Sequence, residues 1–268
     1  MGALPAYDSQ LSAFHQAFEA ELQGIIDGLP LTPEMNVLDL ACGDGFYTRK
    51  LSGRLGPRGL MTGVDLDPAY LLKARSHAAG CQFVLAAFDH LPFPNDTFDF
   101  VWCAQSLYSL PDPLVALRHM GRVLKPGGVL AVLENDTLHQ VLLPWPASLE
   151  LPLRAAELRA FQEESRPASR YYVGRRLPAV LAAVGLEPVR MTTHSFDRMA
   201  PLEEVEQRLL QEYLQEVEGR VAPHLEPALL ASLHQLVDAQ SPGHLLRMAH
   251  LSMTWVNVLA LGRKPTRT

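Results

Sequence analysis

The segment Val37-Leu38-Asp39-Leu40-Ala41-Cys42-Gly43-Asp44-Gly45-Phe46 constrains this chain more than any other. An apolar run carrying an acid and breaking into small residues reads as a buried strand that delivers the backbone into a tight turn. A helix opens with Phe46, so the turn lies where unpaired backbone N–H groups point outward, a place built for a ligand. A dinucleotide site needs Gly-x-Gly-x-x-Gly here, its third glycine letting the helix close on the sheet. This chain has Ala41, Gly43 and Phe46 at those places, with Gly45 shifted by one, which disfavours a pyrophosphate ligand.

Around that turn, short apolar segments alternate with helical ones. Strands are predicted at 36–40, 60–65, 82–86, 98–103 and 129–133, and helices at 46–55, 68–77 and 113–124. This is the βαβ rhythm of a parallel sheet. Upstream, Leu11, Phe14, Phe18, Leu22, Ile25 and Ile26 recur every three or four residues, predicting one amphipathic helix from Tyr7 to Leu29, stopped by Pro30 and Pro33. Past Glu134 the pattern turns mainly helical, over about 147–164, 175–184, 202–217 and 223–239, with strand-like pieces at 188–194 and 253–261. The organisation expected is a cap helix over 1–30, a ligand-binding core over 31–137, and a region over 138–268 that completes the sheet and adds a helical lid, all one domain.

Composition narrows the function classes. Of 268 residues, 48% are hydrophobic and 19% charged, enough for a large α/β core, with no apolar run of membrane-spanning length. The start, Met1-Gly2-Ala3-Leu4-Pro5, has no basic stretch followed by an apolar one, so a cytoplasmic location without membrane partners is expected. A net charge of −6 supplies no overall field to attract nucleic acid. Cys42, Cys81 and Cys103 are widely spaced, and no two histidines stand at ligand spacing, so neither a disulfide framework nor a metal site is expected.

Four segments then combine. Asp39, Ala41, Gly43 and Gly45 fill acidic-x-Gly-x-Gly-x-Gly with alanine at the first glycine. Gly63-Val64-Asp65-Leu66-Asp67 closes the second strand with an acid. Leu91-Pro92-Phe93-Pro94-Asn95-Asp96-Thr97-Phe98-Asp99 leads into the fourth strand, and Arg122-Val123-Leu124-Lys125-Pro126-Gly127-Gly128 precedes the fifth. In this order, over about residues 35–135, they resemble the class I S-adenosylmethionine-dependent methyltransferases. The resemblance implies a Rossmann-like, mostly parallel sheet of seven strands with an N-terminal helix and a C-terminal helical lid. It also implies S-adenosylmethionine as cofactor, S-adenosylhomocysteine as product, and no metal.

The resemblance assigns roles as well. Ala41, Gly43 and Gly45 would allow close backbone approach to the cofactor's methionine moiety, and Asp39 would hold the loop. Asp65, followed by Leu66, would accept hydrogen bonds from the ribose hydroxyls. The family's adenine-binding acid aligns with Ala87, so Phe88 and Asp89 are the candidates there, and Gln105 is the candidate past the fourth strand. Asp39 and Asp65 have a plainer reading as helix caps. Cys103, with no proline before it, reads as a buried thiol, and Ala104-Gln105-Ser106-Leu107-Tyr108 lacks the Asn/Asp-Pro-Pro-aromatic pattern of nucleic-acid amino-methyltransferases.

The catalytic residue stays open, because methyl transfer from a sulfonium needs alignment more than a fixed acid or base. Substrate-side candidates are Tyr108, Glu134, His139, Tyr171 and Tyr172. The expected acceptor is a small molecule, and a homodimer is compatible. The alternatives are an RNA or protein methyltransferase, for which Arg154, Arg159, Arg166, Arg170, Arg175 and Arg176 are the dense basic stretch, or a non-catalytic binding module.

Overall fold

In the computed structural model, which describes residues 8–110, 112–163 and 172–266, the strand before the glycine turn is β1 (Asn36–Leu40), paired in parallel on both edges. Its Val37, Leu38 and Leu40 are buried on opposite faces of the sheet, which is why the strand reads as a continuous apolar run rather than an alternating one. β2 (Leu60–Asp65) and β3 (Gln82–Leu85) extend the sheet on one side; β4 (Phe98–Ala104) and β5 (Leu124–Glu134) extend it on the other. Helices α3 (Phe46–Ser52), α4 (Pro68–His77) and α5 (Pro113–Val123) make the crossovers.

The remaining edge is antiparallel. β8 (Ser252–Arg263) pairs with β5 along one edge and with β7 (Val189–Met199) along the other. Beyond Glu134 the edge of β8 that β5 occupied is taken by β6 (Val141–Leu142), which pairs with Trp255 and Thr254. The described sheet therefore has eight strands rather than seven, because β8 outruns β5 and its free edge is covered by a two-residue piece. β5 also starts earlier than predicted. The Lys-Pro-Gly-Gly turn lies within it, as an irregularity between Phe98 and Phe100, with Gly127 at φ +81°.

The predicted N-terminal helix is two, α1 (Asp8–Ala17) and α2 (Glu19–Asp27), broken at Phe18. Phe18 leaves the helical backbone (φ −121°, ψ 27°), and its fully buried ring packs on Phe14 and Phe196 under the Arg198 guanidinium. After β6 come α6 (Ala147–Glu163), α7 (Val173–Ala183), α8 (Glu204–Val221) and α9 (Pro227–Val237). The acid-rich start of α8 is a capping box: the Glu203 side chain accepts from the Glu206 N–H, and Glu206 accepts from the Glu203 N–H at 2.8 Å. One face of the sheet packs against α1, α2 and α8, the other against α5 and α7. Among the described residues no helix is long and apolar enough to cross a membrane.

Candidate cofactor cleft

Three alternate residues of the turn, Ala41, Gly43 and Gly45, have positive φ of 57°, 52° and 83°. The turn is anchored by Cys42 N–H to Val64 O (2.9 Å) and Gly45 N–H to Cys42 O (2.9 Å). Its two glycines serve different ends. A Cβ on Gly45 would stand 3.0 Å from Ala74 Cα, so this glycine lets the turn pack against α4, whereas a Cβ on Gly43 would meet nothing within 4 Å and points into open space. Ala41 sits where glycine is more comfortable. Relieving its left-handed conformation outweighs the extra freedom that glycine gives the unfolded chain, so Ala41→Gly is expected to raise stability by about 0.5–1 kcal/mol in urea denaturation. A loss of stability would refute that strain.

Asp65 ties the turn to the end of β2. Its two carboxylate oxygens accept the Gly43 N–H at 2.8 Å and the Asp67 N–H at 2.9 Å. Capping α4 falls instead to Asp67, which accepts the Ala69 N–H at 2.8 Å. Burial raises the Asp65 carboxyl above its usual value, opposed by the backbone N–H groups of Asp67, Gly43 and Leu66.

These residues border a cleft of about 680 Å³ at the carboxyl ends of β1, β2 and β4, where an open α/β sheet binds ligands. Ala41, Gly43, Asp65, Leu66, Phe88, Gln105 and Tyr108 line it. Asp39, Gly45, Asp89, His139 and Tyr172 do not. Asp39 is 1% exposed and accepts the Thr48 hydroxyl at 2.6 Å, tying β1 to α3; burial pushes its carboxyl up to about 7, opposed by Thr48. Asp89 faces solvent in an ion pair with His90 at 3.0 Å, so Phe88, not Asp89, faces the cleft.

On the acceptor side the candidates separate. Glu134 is fully buried and does not line the cleft; it accepts the Ser106 and Leu107 N–H groups at 2.7 and 2.6 Å, fixing the turn after β4. Burial pushes its carboxyl up to about 7, opposed by those N–H groups. His139 lies on the surface of a 3-10 turn (Thr137–His139), and burial and then Arg175 push its imidazole down. Its neighbour Tyr172 packs against Leu138 and Phe161 beneath the Arg175 guanidinium. Tyr171, Arg166 and Arg170 lie outside the described residues. Of the other arginines, Arg154 pairs with Glu157 and Arg175 with Asp136, while Arg159 and Arg176 are exposed. Among the described residues no three His, Cys, Asp or Glu side chains gather as metal ligands.

Residues that sequence reasoning passed over complete the cleft wall. His15 and Leu11 reach it from α1, Tyr47 from α3 and Tyr70 from α4. A signal for His15 existed: the spacing 11, 14, 15, 18 puts it on the apolar stripe of its helix. The groups present fit a nucleoside ligand with an aliphatic polar tail. A carboxylate stands beside a backbone that leaves room for close approach, apolar Leu66 and Phe88 flank it, and His15 Nε2 and Gln105 Oε1 are buried without a hydrogen-bond partner.

A Rossmann-like sheet with this cleft at its carboxyl edge defines the class, and residues 38–132 match the family described as "Methyltransferase domain". Among individual relatives, the demethylmenaquinone methyltransferase of Staphylococcus aureus is 40% identical over 102 residues, 37% of this chain and 42% of that protein. The chain thus spans about two fifths of the length of the curated relatives it matches. Of solved structures, the YcgJ protein of Bacillus subtilis covers 93% of this chain with all of its own, at 18% identity and a TM-score of 0.58. An N-methyltransferase of Haemonchus contortus, in complex with phosphomonomethylethanolamine and S-adenosylhomocysteine, covers 97% of this chain with 58% of its own, at 15% identity and a TM-score of 0.53. At these identities the solved structures speak for the fold.

Proposed function

We propose that this chain is an S-adenosylmethionine-dependent methyltransferase acting on a small molecule. The observation that carries the reading is the Asp65 carboxylate at the rim of the cleft, holding the Gly43 backbone N–H of the glycine turn. Asp65 is the residue to accept the ribose hydroxyls, since its oxygens keep lone pairs beyond the two N–H bonds. Leu66 and Phe88 are the apolar flanks for the adenine, and Ala41, Gly43 and Gln105 border the methionine end. Asp39 and Gly45 act indirectly, one fastening β1 to α3 and the other seating the turn on α4. Bound in this cleft, the cofactor supplies a methyl group on a sulfonium, already activated for in-line displacement. The chain's own work is to align the acceptor and exclude water.

A small acceptor is favoured by the roof over the strand ends. α1 brings Leu11 and His15 onto the cleft and is fastened at both sides, by Asp8 to Lys73 of α4 (2.8 Å) and by Ser9 to Glu212 of α8 (2.7 Å). The name of the Staphylococcus aureus relative, whose substrate is also a small molecule, agrees with that reading. Calorimetry tests it. S-adenosylhomocysteine should bind, and Asp65→Ala should weaken binding by about 1.5–3 kcal/mol, the range for a lost hydrogen bond to a charged group. A folded protein that binds neither S-adenosylmethionine nor S-adenosylhomocysteine would overturn the proposal.

A further inference from the structure

A second cavity, of about 270 Å³, continues the cofactor cleft past Leu11, Gln105 and Tyr108, which line both. Beyond its Trp255 wall lies the unpartnered edge of the sheet. Trp255 pairs with Phe196 of β7, and β7 pairs with no other described strand. One bond fixes which backbone groups that edge presents. Val256 N–H donates to Gln140 O at 2.8 Å, away from β7. Successive residues of a strand turn their backbone groups to alternate edges, so the odd-numbered residues of β8 bond the even-numbered residues of β7. Met191, Thr193, Ser195, Asp197 and Met199 therefore hold their N–H and C=O groups out to the free edge. Among the described residues the one bond made to that backbone row comes from the Arg198 guanidinium to Asp197 O at 2.9 Å, which leaves this carbonyl a second lone pair.

An unpaired row of this length is a template for another strand, and sheets shield such edges with proline, lysine, bulges or a covering element. β7 has no proline or lysine, and its 11 residues keep an unbroken register with β8. Arg190, Met191, Thr192 and Thr193 are all exposed, so neither face of the strand is covered there.

The side chains decide which strand fits. A second copy laid antiparallel on this edge, about a two-fold axis normal to the sheet, keeps like faces together and pairs symmetrically about one central residue. Centring on His194 overlaps all 11 residues, and centring on Thr193 or Ser195 overlaps 189–197 or 191–199. The His194 register sets Arg190 against Arg198 of the second copy, like charges directly opposite, and Met191 against its Asp197. The Thr193 register sets Val189 against Asp197 and leaves Met199, 70% exposed, without a partner. The Ser195 register sets Met191, 47% exposed, against Met199, Thr193 against Asp197, and Ser195 against itself. Asp197 accepts the Thr254 hydroxyl at 2.7 Å through Oδ1 and keeps lone pairs for the Thr193 hydroxyl.

We propose that the free edge of β7 binds a second copy of this chain, antiparallel and centred on Ser195, so that the two sheets become one. Met191 and Met199 then cover each other across the joint, twice over, and the open backbone row is satisfied by its own copy. Both clefts stay clear of the joint, because β8 and β5 stand between β7 and the strands whose ends form the cleft.

Sedimentation velocity of the intact protein should give twice the mass of one chain. Ser195→Pro removes an N–H that points outward and breaks no bond to β8. It should weaken the dimer at least about tenfold, since two backbone bonds across the axis are lost at once. Met191→Lys with Met199→Lys, both at the surface, should give single chains, and Met191→Lys with Met199→Glu, which sets opposite charges across the joint, should restore the dimer. Ser195→Cys, with its Cα atoms about 5.5 Å apart across the axis, should be joined by a mild oxidant into a covalent dimer that neither the natural protein nor Thr193→Cys forms. The proposal is overturned if the natural protein sediments as a single chain at about 100 μM, where a micromolar association is largely complete. It is equally overturned if the paired lysine substitutions leave the dimer intact, which would assign it to another surface, or if Thr193→Cys is cross-linked and Ser195→Cys is not.

Discussion

Arg198→Ala is expected to cost about 2–3 kcal/mol of stability, above the range of an exposed ion pair and below that of a fully buried one, and to weaken the cofactor cleft from a distance. Arg198 stands on β7 with its side chain 20% exposed, where three separate elements meet. Its guanidinium pairs with Glu21 of α2 at 2.6 Å and with Glu206 of α8, donates to the Ala17 carbonyl at 2.5 Å, and covers the Phe18 ring at 4.6 Å. Its removal leaves Glu206, itself buried and already committed to the α8 capping box, with an uncompensated charge. It also frees the carbonyl at the α1–α2 break. Because α1 carries Leu11 and His15 onto the cleft, S-adenosylhomocysteine affinity should fall with stability although Arg198 touches neither cavity. Urea denaturation reads the first effect and calorimetry the second. Glu21→Gln, at a partner 31% exposed, should cost under about 1 kcal/mol, and similar losses in the two variants would show that the buried Glu206 is not the reason.

That joint also shows where the sequence stops being informative. Strands β1, β2, β4 and β5 could be read because each is a run buried on both faces, and the crossover helices because Pro68 and Pro113 follow the caps Asp67 and Asp112. The break at Phe18 left no trace: Phe14, Phe18 and Leu22 keep helical spacing across it, since both halves bury one apolar stripe. β6 offers only Val141 and Leu142, too little for any periodicity, and the far end of β7 is obscured by Asp197 and Arg198, whose role lies in partners far away in sequence. In the site, the glycine turn and Asp65 were legible because backbone geometry demands particular residues there. The task of Gly45 depends on a 3.0 Å approach by Ala74, which only the folded chain reveals. His139 was a candidate as a residue close after strand β5 and Tyr172 as one that opens a helix of the lid, but the 3-10 turn Thr137–His139 and the start of α7 hold them outside both cavities.

The buried acid behind the turn leads to a prediction about pH. Asp39 accepts the Thr48 hydroxyl at 2.6 Å, and burial holds its carboxyl protonated up to about pH 7 against an ordinary value near 3.8. The raised value means that folding favours the protonated form. The contribution is complete below about pH 3.8 and is lost as pH rises through 7. The whole interval corresponds to at most about 4 kcal/mol. Asp39→Asn keeps an oxygen for Thr48 and has no proton to lose, so its stability relative to the natural protein should rise between pH 4 and pH 8 by up to that amount. Urea denaturation at both pH values measures the difference. Curves that stay parallel would mean that Asp39 is ionised in the folded state, held so by a charge or water that the turn admits. Adding S-adenosylmethionine sharpens the comparison: if its sulfonium binds beside the glycine turn as proposed, its positive charge should attract the carboxylate and pull the Asp39 transition below 7. S-adenosylhomocysteine, the thioether that lacks the methyl group and the charge, should leave the transition where it is. A pH dependence that moves equally with both ligands would be conformational, and one that moves only with the sulfonium would place Asp39 in the electrostatics of the cofactor cleft rather than in its lining.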